Sequence, residues 1–95
     1  MTHFEELYKK YASGKQAIDA LTVDNIVAQY GSLLNLSLTT ECLVLNNYEA
    51  PLNFIPLKNI IDIIDEPQHI YIILRASIYI LCKESGETRI HIRNL

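Results

Sequence analysis

Apolar positions change their period once along this chain, and the change separates a helical part from a sheet-like part. Phe4, Leu7, Tyr8 and Tyr11 recur at i, i+3, i+4 and i+7, which places them on one stripe of a helix. Thr2 and Glu5 have the spacing of a capping box. Lys9 and Lys10 fall where cations suit the C-terminal end of the helix dipole, and Gly14 follows as a terminator. The spacing predicts a helix over residues 3–12. Residues 15–30 carry a second stripe, Val23, Ile26, Val27 and Tyr30, after Thr22 or Asp24 as a cap and with Gly31 past the end. The β-branched residues there also fit a strand at 23–30; helix is the reading adopted.

From Leu33 onward the period is two. Leu34, Leu36 and Leu38 alternate with Asn35, Ser37 and Thr39, which predicts a strand over Leu33–Leu38. Thr40-Glu41 reads as a turn and Cys42–Leu45 as the next strand. Residues 46–51 have loop composition, and Leu52–Ile55 is a short strand stopped by Pro56. Residues 57–64 fit two patterns. Leu57, Ile60, Ile61 and Ile64 make a helical stripe, whereas the density of isoleucine favours a strand. The adopted reading is a turn at 56–59, a strand at 60–64, and a turn at 65–68.

The segment Ile70–Cys82 is apolar on both faces of any strand it forms, which requires cover on both sides. In so short a chain, part of that cover is expected from another chain. The final hairpin is well marked, with Glu84-Ser85-Gly86-Glu87 between Ile78–Lys83 and Thr88–Arg93. With Ser85 and Gly86 as a two-residue loop, Cys82 lies opposite Arg89, Ile80 opposite His91, and Ile78 opposite Arg93. One face then holds Tyr79, Leu81, Ile90 and Ile92 and is the expected core side. The other mixes Ile78, Ile80 and Cys82 with Arg89, His91 and Arg93. Ile78 and Ile80 have no evident cover from their own chain, so Ile78, Ile80, Arg89, His91 and Arg93 are the candidate interaction residues.

These readings give one domain over residues 1–95, helical over 3–30 and sheet over 33–93. The fold class is α+β, with one or two N-terminal helices packed on a five- to six-stranded antiparallel sheet or small barrel. Composition changes this picture little. The 95 residues are 49% hydrophobic and 20% charged, as suits a folded domain. The net charge of −3 argues against a general nucleic-acid coat but leaves room for the local basic strand. Cys42 and Cys82 lack CxxC spacing and read as reduced, packed thiols. The first residues show no basic-then-apolar leader. Arg75 interrupts the longest apolar run, which falls short of the ~20 residues that span a bilayer. A cytoplasmic protein with no membrane partner is expected.

No residue set specifies a reaction. Ser13-Gly14-Lys15 is a fragment of a phosphate loop, but Lys9 and Gln16 stand where that motif needs Gly and Ser or Thr. His3, His69 and His91 are far apart, so no metal site is expected. In the hairpin register above, Cys82 and His91 come close enough to pair as nucleophile and base, without a glycine elbow or oxyanion donor beside them. Asp62, Asp65 and Glu66 are the one acidic cluster, beside Pro67 in a turn, and read as solvated. No catalytic residue and no cofactor are assigned, and the chain is not expected to be an enzyme.

Over residues 31–64 the chain resembles an Sm-like small β-barrel. The similarity lies in the helix at 3–12, the strands Leu33–Leu38 and Cys42–Leu45, and the segment 52–63, Leu-Asn-Phe-Ile-Pro-Leu-Lys-Asn-Ile-Ile-Asp-Ile, which looks like a closing strand–turn–strand. The resemblance implies ring assembly and, in many members, RNA binding; no RNA-contacting residue carries over. The expectation is therefore a non-catalytic interaction module with a structural or regulatory role. It would form a homo-oligomer through its C-terminal hairpin, with another protein as a further partner. An Sm-like RNA-binding protein is the alternative.

Overall fold

The computed structural model describes residues 3–11, 18–46 and 53–93. The proposed cap at Thr2, the Ser13-Gly14-Lys15 terminator, helix residue 12, most of the loop at 46–51 and the tail at 94–95 lie outside them. Among these residues two helices are followed by seven strands in two antiparallel sheets, so the α+β class is correct; the expected single sheet is in fact two, of three and four strands.

Helix α1, His3–Tyr11, turns Phe4, Leu7 and Tyr8 of the stripe read from the sequence toward the second sheet. Helix α2, Ala20–Leu34, begins where the Asp19 carboxylate accepts from the Leu21 amide at 3.1 Å. It does not end at Gly31. It runs one turn further to Asn35, whose left-handed backbone (φ 54°) lets its N–H close on the Gly31 carbonyl. Leu33 and Leu34 are therefore helical, and the strand expected over Leu33–Leu38 shrinks to β1, Leu36–Leu38. Gly31 serves another purpose. A Cβ there would sit 3.1 Å from the Leu36 carbonyl oxygen, so the missing side chain lets β1 turn back closely along α2.

Strands β1, β2 (Cys42–Leu45) and β3 (Asn53–Pro56) form the first sheet in chain order. Thr39 builds the β1–β2 turn by accepting the amides of Cys42 and Glu41 on its hydroxyl. After β3 a 3₁₀ turn, Leu57–Asn59, leads into β4, Asp62–Asp65, so the strand expected at 60–64 starts two residues later. Strands β4, β5 (His69–Ile73), β6 (Ser77–Cys82) and β7 (Thr88–Ile92) form the second sheet, again in chain order.

The doubly apolar run is divided by a turn at Leu74–Ala76, closed by the Leu74 amide on the Ser77 carbonyl. Ile70 pairs with Leu81 and Ile72 with Tyr79, so even positions of β5 share a face with odd positions of β6. That face packs with α2 and the first sheet around Val23, Leu34, Leu43, Leu45, Ile55 and Ile60. The opposite face carries Tyr71, Ile73 and Ile78, which α1 covers with Leu7 and Tyr8. The central strand β5 is thus buried on both faces by its own chain, and the expected need for cover from another chain does not arise here. Among the described residues no helix is long and apolar enough to cross a membrane.

Candidate interaction surface

The β6–β7 hairpin closes through a four-residue loop, Lys83–Gly86, and not through Ser85-Gly86 alone. The Gly86 amide donates to the Cys82 carbonyl at 2.8 Å, and the Cys82 amide to the Glu87 carbonyl at 2.9 Å. Gly86 takes φ 73°, which a residue with a Cβ adopts only at a cost, and the Glu87 amide donates to the Ser85 hydroxyl. The register accordingly sets Ile80 opposite Arg89, Tyr79 opposite Ile90 and Ile78 opposite His91. This is two residues from the expected pairing. Because the side-chain period is also two, every residue stays on its expected face.

On β6 both faces are covered by this chain: Tyr79 and Leu81 pack in the core as expected, and the mixed face is covered as well. Ile78 is fully buried beneath α1 and Ile80 packs against the same cluster, so the premise that both lack cover from their own chain is corrected. The Phe4 ring stacks on His91 with centroids 4.2 Å apart, and the Tyr8 hydroxyl donates to the His91 carbonyl at 3.1 Å. Arg93 places its guanidinium 5.1 Å from the centre of the Tyr8 ring. Burial raises the Tyr8 phenol above its ordinary pKa, and the Arg93 charge partly opposes this. Arg89 is exposed and reaches Glu87 at 3.6 Å.

On the expected core face, Leu81 is buried, yet Ile90 is 48% and Ile92 67% exposed. They extend beyond the area that α2 and the first sheet cover. Among the described residues β7 is also an outer strand of its sheet. The Cys82 amide bonds the Glu87 carbonyl and the Arg93 amide bonds the Ala76 carbonyl, so the ladder to β6 uses alternate residues 87, 89, 91 and 93. The backbone N–H and C=O groups of Thr88, Ile90 and Ile92 consequently point along the open edge. Of the four outer strands, β7 is the longest at five residues. β1 has three, β3 has four and ends in Pro56, and β4 has four and carries Asp62 and Asp65. Leu21, Leu33 and Phe54 are exposed elsewhere, none of them beside another exposed large apolar residue on one strand.

The chemistry read from the sequence is rearranged. Cys82 lies opposite His69 on one side and bonds Glu87 on the other, not Arg89, and His91, expected as its neighbour, sits across from Ile78. The Ser85 hydroxyl and then the Ser85 and Glu84 amides hydrogen-bond the Cys82 thiol and hold its pKa below the ordinary thiol value. Asp65 is not simply solvated. Lys83 donates to it at 2.5 Å and the Tyr30 hydroxyl at 2.6 Å, and Lys83 also lies 4.5 Å from the Tyr30 ring centre. Hydrogen bonds from Lys83 and then Tyr30 hold the Asp65 carboxyl below its usual range, and Asp65 in turn raises Lys83. This trio ties α2 to the end of β4 and to the loop after β6 in the second sheet. No local motif announces it, since its members stand 18 to 53 positions apart. Among the described residues no group of three or more His, Cys, Asp or Glu comes together as a metal ion requires. A cleft of about 420 Å³ is lined by Glu41, Cys42, Pro56, Leu57 and Lys58.

No family model, no curated protein and no solved structure matches this chain. The likeness to Sm-like barrels stays a resemblance of residues 31–64.

Proposed function

We propose that this chain is a small, non-catalytic interaction module of the cytoplasm that associates with a second copy of itself through its C-terminal hairpin. Its role on this reading is structural or regulatory. One observation carries the reading: among the described residues β7 is paired on one side only, and the residues whose backbone groups face its open side, Ile90 and Ile92, also carry the exposed apolar side chains. Soluble proteins usually blunt such an edge with inward-pointing charge, Pro or a covering loop. Here the basic residues, Arg89, His91 and Arg93, stand on the opposite face and leave the apolar side open. Those three residues keep their candidate role, Ile90 and Ile92 join them, and Ile78 and Ile80 become packing residues under α1. The free thiols Cys42 and Cys82 suit a reducing compartment.

Sedimentation equilibrium over a concentration series tests the reading. Wild-type protein should show a dimer mass, and Ile92→Lys should return it to monomer with an unchanged circular dichroism spectrum. A wild-type monomer at hundreds of micromolar rules the proposal out.

A further inference from the structure

Resting on that reading, we infer that two copies join as an antiparallel β7–β7 pair centred on Ile90, making one continuous eight-stranded sheet from two four-stranded ones. Geometry limits the registers. The two strands meet through the outward backbone groups of Thr88, Ile90 and Ile92, and a two-fold axis normal to the sheet keeps every side chain on its own face. Only registers that pair residues of equal parity satisfy both conditions.

Charge selects among these. Centred on Ile90, the pairing sets Glu87 against Arg93 of the second copy, twice, and Arg89 against its His91. Centred one residue earlier, Arg89 faces its own copy. Centred one residue later, Arg89 faces Arg93. Like charges directly opposite one another on a sheet are destabilising, and opposite charges are favourable. The same Ile90-centred register brings both Ile90 side chains together, with Ile92 opposite Thr88, and so removes apolar surface that is 48% and 67% exposed in the single copy. Arg93 is already steadied on this face by the Tyr8 ring, and Glu87 lies beside Arg89, so both ends of the intermolecular pair are positioned before the copies meet.

The test is a charge exchange read by sedimentation equilibrium. Glu87→Arg and Arg93→Glu should each weaken the dimer roughly tenfold, because the two-fold axis repeats every change. The double variant should recover the wild-type constant to within about threefold if the two residues form one pair. If Arg93→Glu lowers the melting temperature by disturbing Tyr8, Arg93→Ala replaces it and should relieve Glu87→Arg. A dimer indifferent to Glu87→Arg, or one not rescued by the second change, overturns this register while leaving self-association intact. A wild-type monomer overturns both.

Discussion

Replacing Ile78 and Ile92 by Ala, each alone, reads out which side of the final hairpin is internal. Ile78 is fully buried and packs with Leu7, Tyr8, Tyr71 and Ile73, whereas Ile92 is 67% exposed. Deleting a buried isoleucine to alanine removes transfer free energy and leaves a cavity between α1 and the sheet, for a cost of about 2–5 kcal/mol. The upper half of that range is expected if α1 cannot settle into the gap, since the Tyr8–His91 hydrogen bond and the Phe4–His91 stack hold it at a fixed height. Ile92→Ala at an exposed site should stay within about 0.5 kcal/mol. Domains of this size have total stabilities of only about 5–15 kcal/mol, so the difference is large. Urea unfolding at a concentration low enough to keep the protein monomeric would measure it, as a fall in midpoint at unchanged slope for Ile78→Ala. If that variant expresses poorly, Ile78→Val should still cost about 0.5–1.5 kcal/mol. Equal losses at the two positions, or a larger loss at Ile92, would refute the placement of α1 on the basic face.

Two further outcomes concern the polar contacts. The Asp65 carboxyl sits below its unfolded pKa and Lys83 above its own, so the Tyr30–Asp65–Lys83 trio stabilises the fold above about pH 4 and below about pH 10.5, and its contribution fades outside those limits. Tyr30→Phe should cost about 0.5–1 kcal/mol at neutral pH, and the difference from wild type should shrink as pH falls through the Asp65 titration; a pH-independent difference would show that the hydroxyl acts otherwise. In protein carrying Cys42→Ser, Ser85→Ala should slow alkylation of Cys82 by about two- to tenfold near neutrality, because the Ser85 hydroxyl is the main support of the thiolate. An unchanged alkylation rate would remove that role.

How much of this was legible in the chain depends on how local each signal is. The α1 stripe, strand β2 and the hairpin strands follow from period and composition, and the structure has all of them. The end of α2 is not legible because Gly31 is the stronger helix-stop signal by residue type, while the actual cap is Asn35, whose left-handed backbone no spacing reveals. Leu34 completed an apparent alternation with Leu36 and Leu38 that crosses a helix end. The hairpin register differs by two from the one composition predicts because Ser85-Gly86 resembles a complete two-residue loop, yet the loop takes in Lys83 and Glu84 as well. Parity rescued the face assignments. Which face the N-terminal helix would cover was not legible at all, since a stripe says what a helix buries and nothing about where. That one unknown exchanged the roles of Ile78 and Ile92. The Asp65 trio was equally hidden, because its partners meet only once α2 and the second sheet have docked.

The hydrogen bond from Tyr8 to His91 spans 83 positions of sequence, whereas the strands beneath α1 are joined by short turns in chain order. During synthesis the helix therefore emerges early and has to wait. Its Leu7–Tyr8 side has no complete platform until β7 has left the ribosome, although the meander from β4 to β7 can assemble from neighbouring segments as they appear. Until β7 has formed, the Leu7–Tyr8 side of α1 lacks the partner strand that its hydrogen bond reaches. The step that shields it from chaperones and from neighbouring nascent chains is its docking, when the completed sheet takes the helix onto its back.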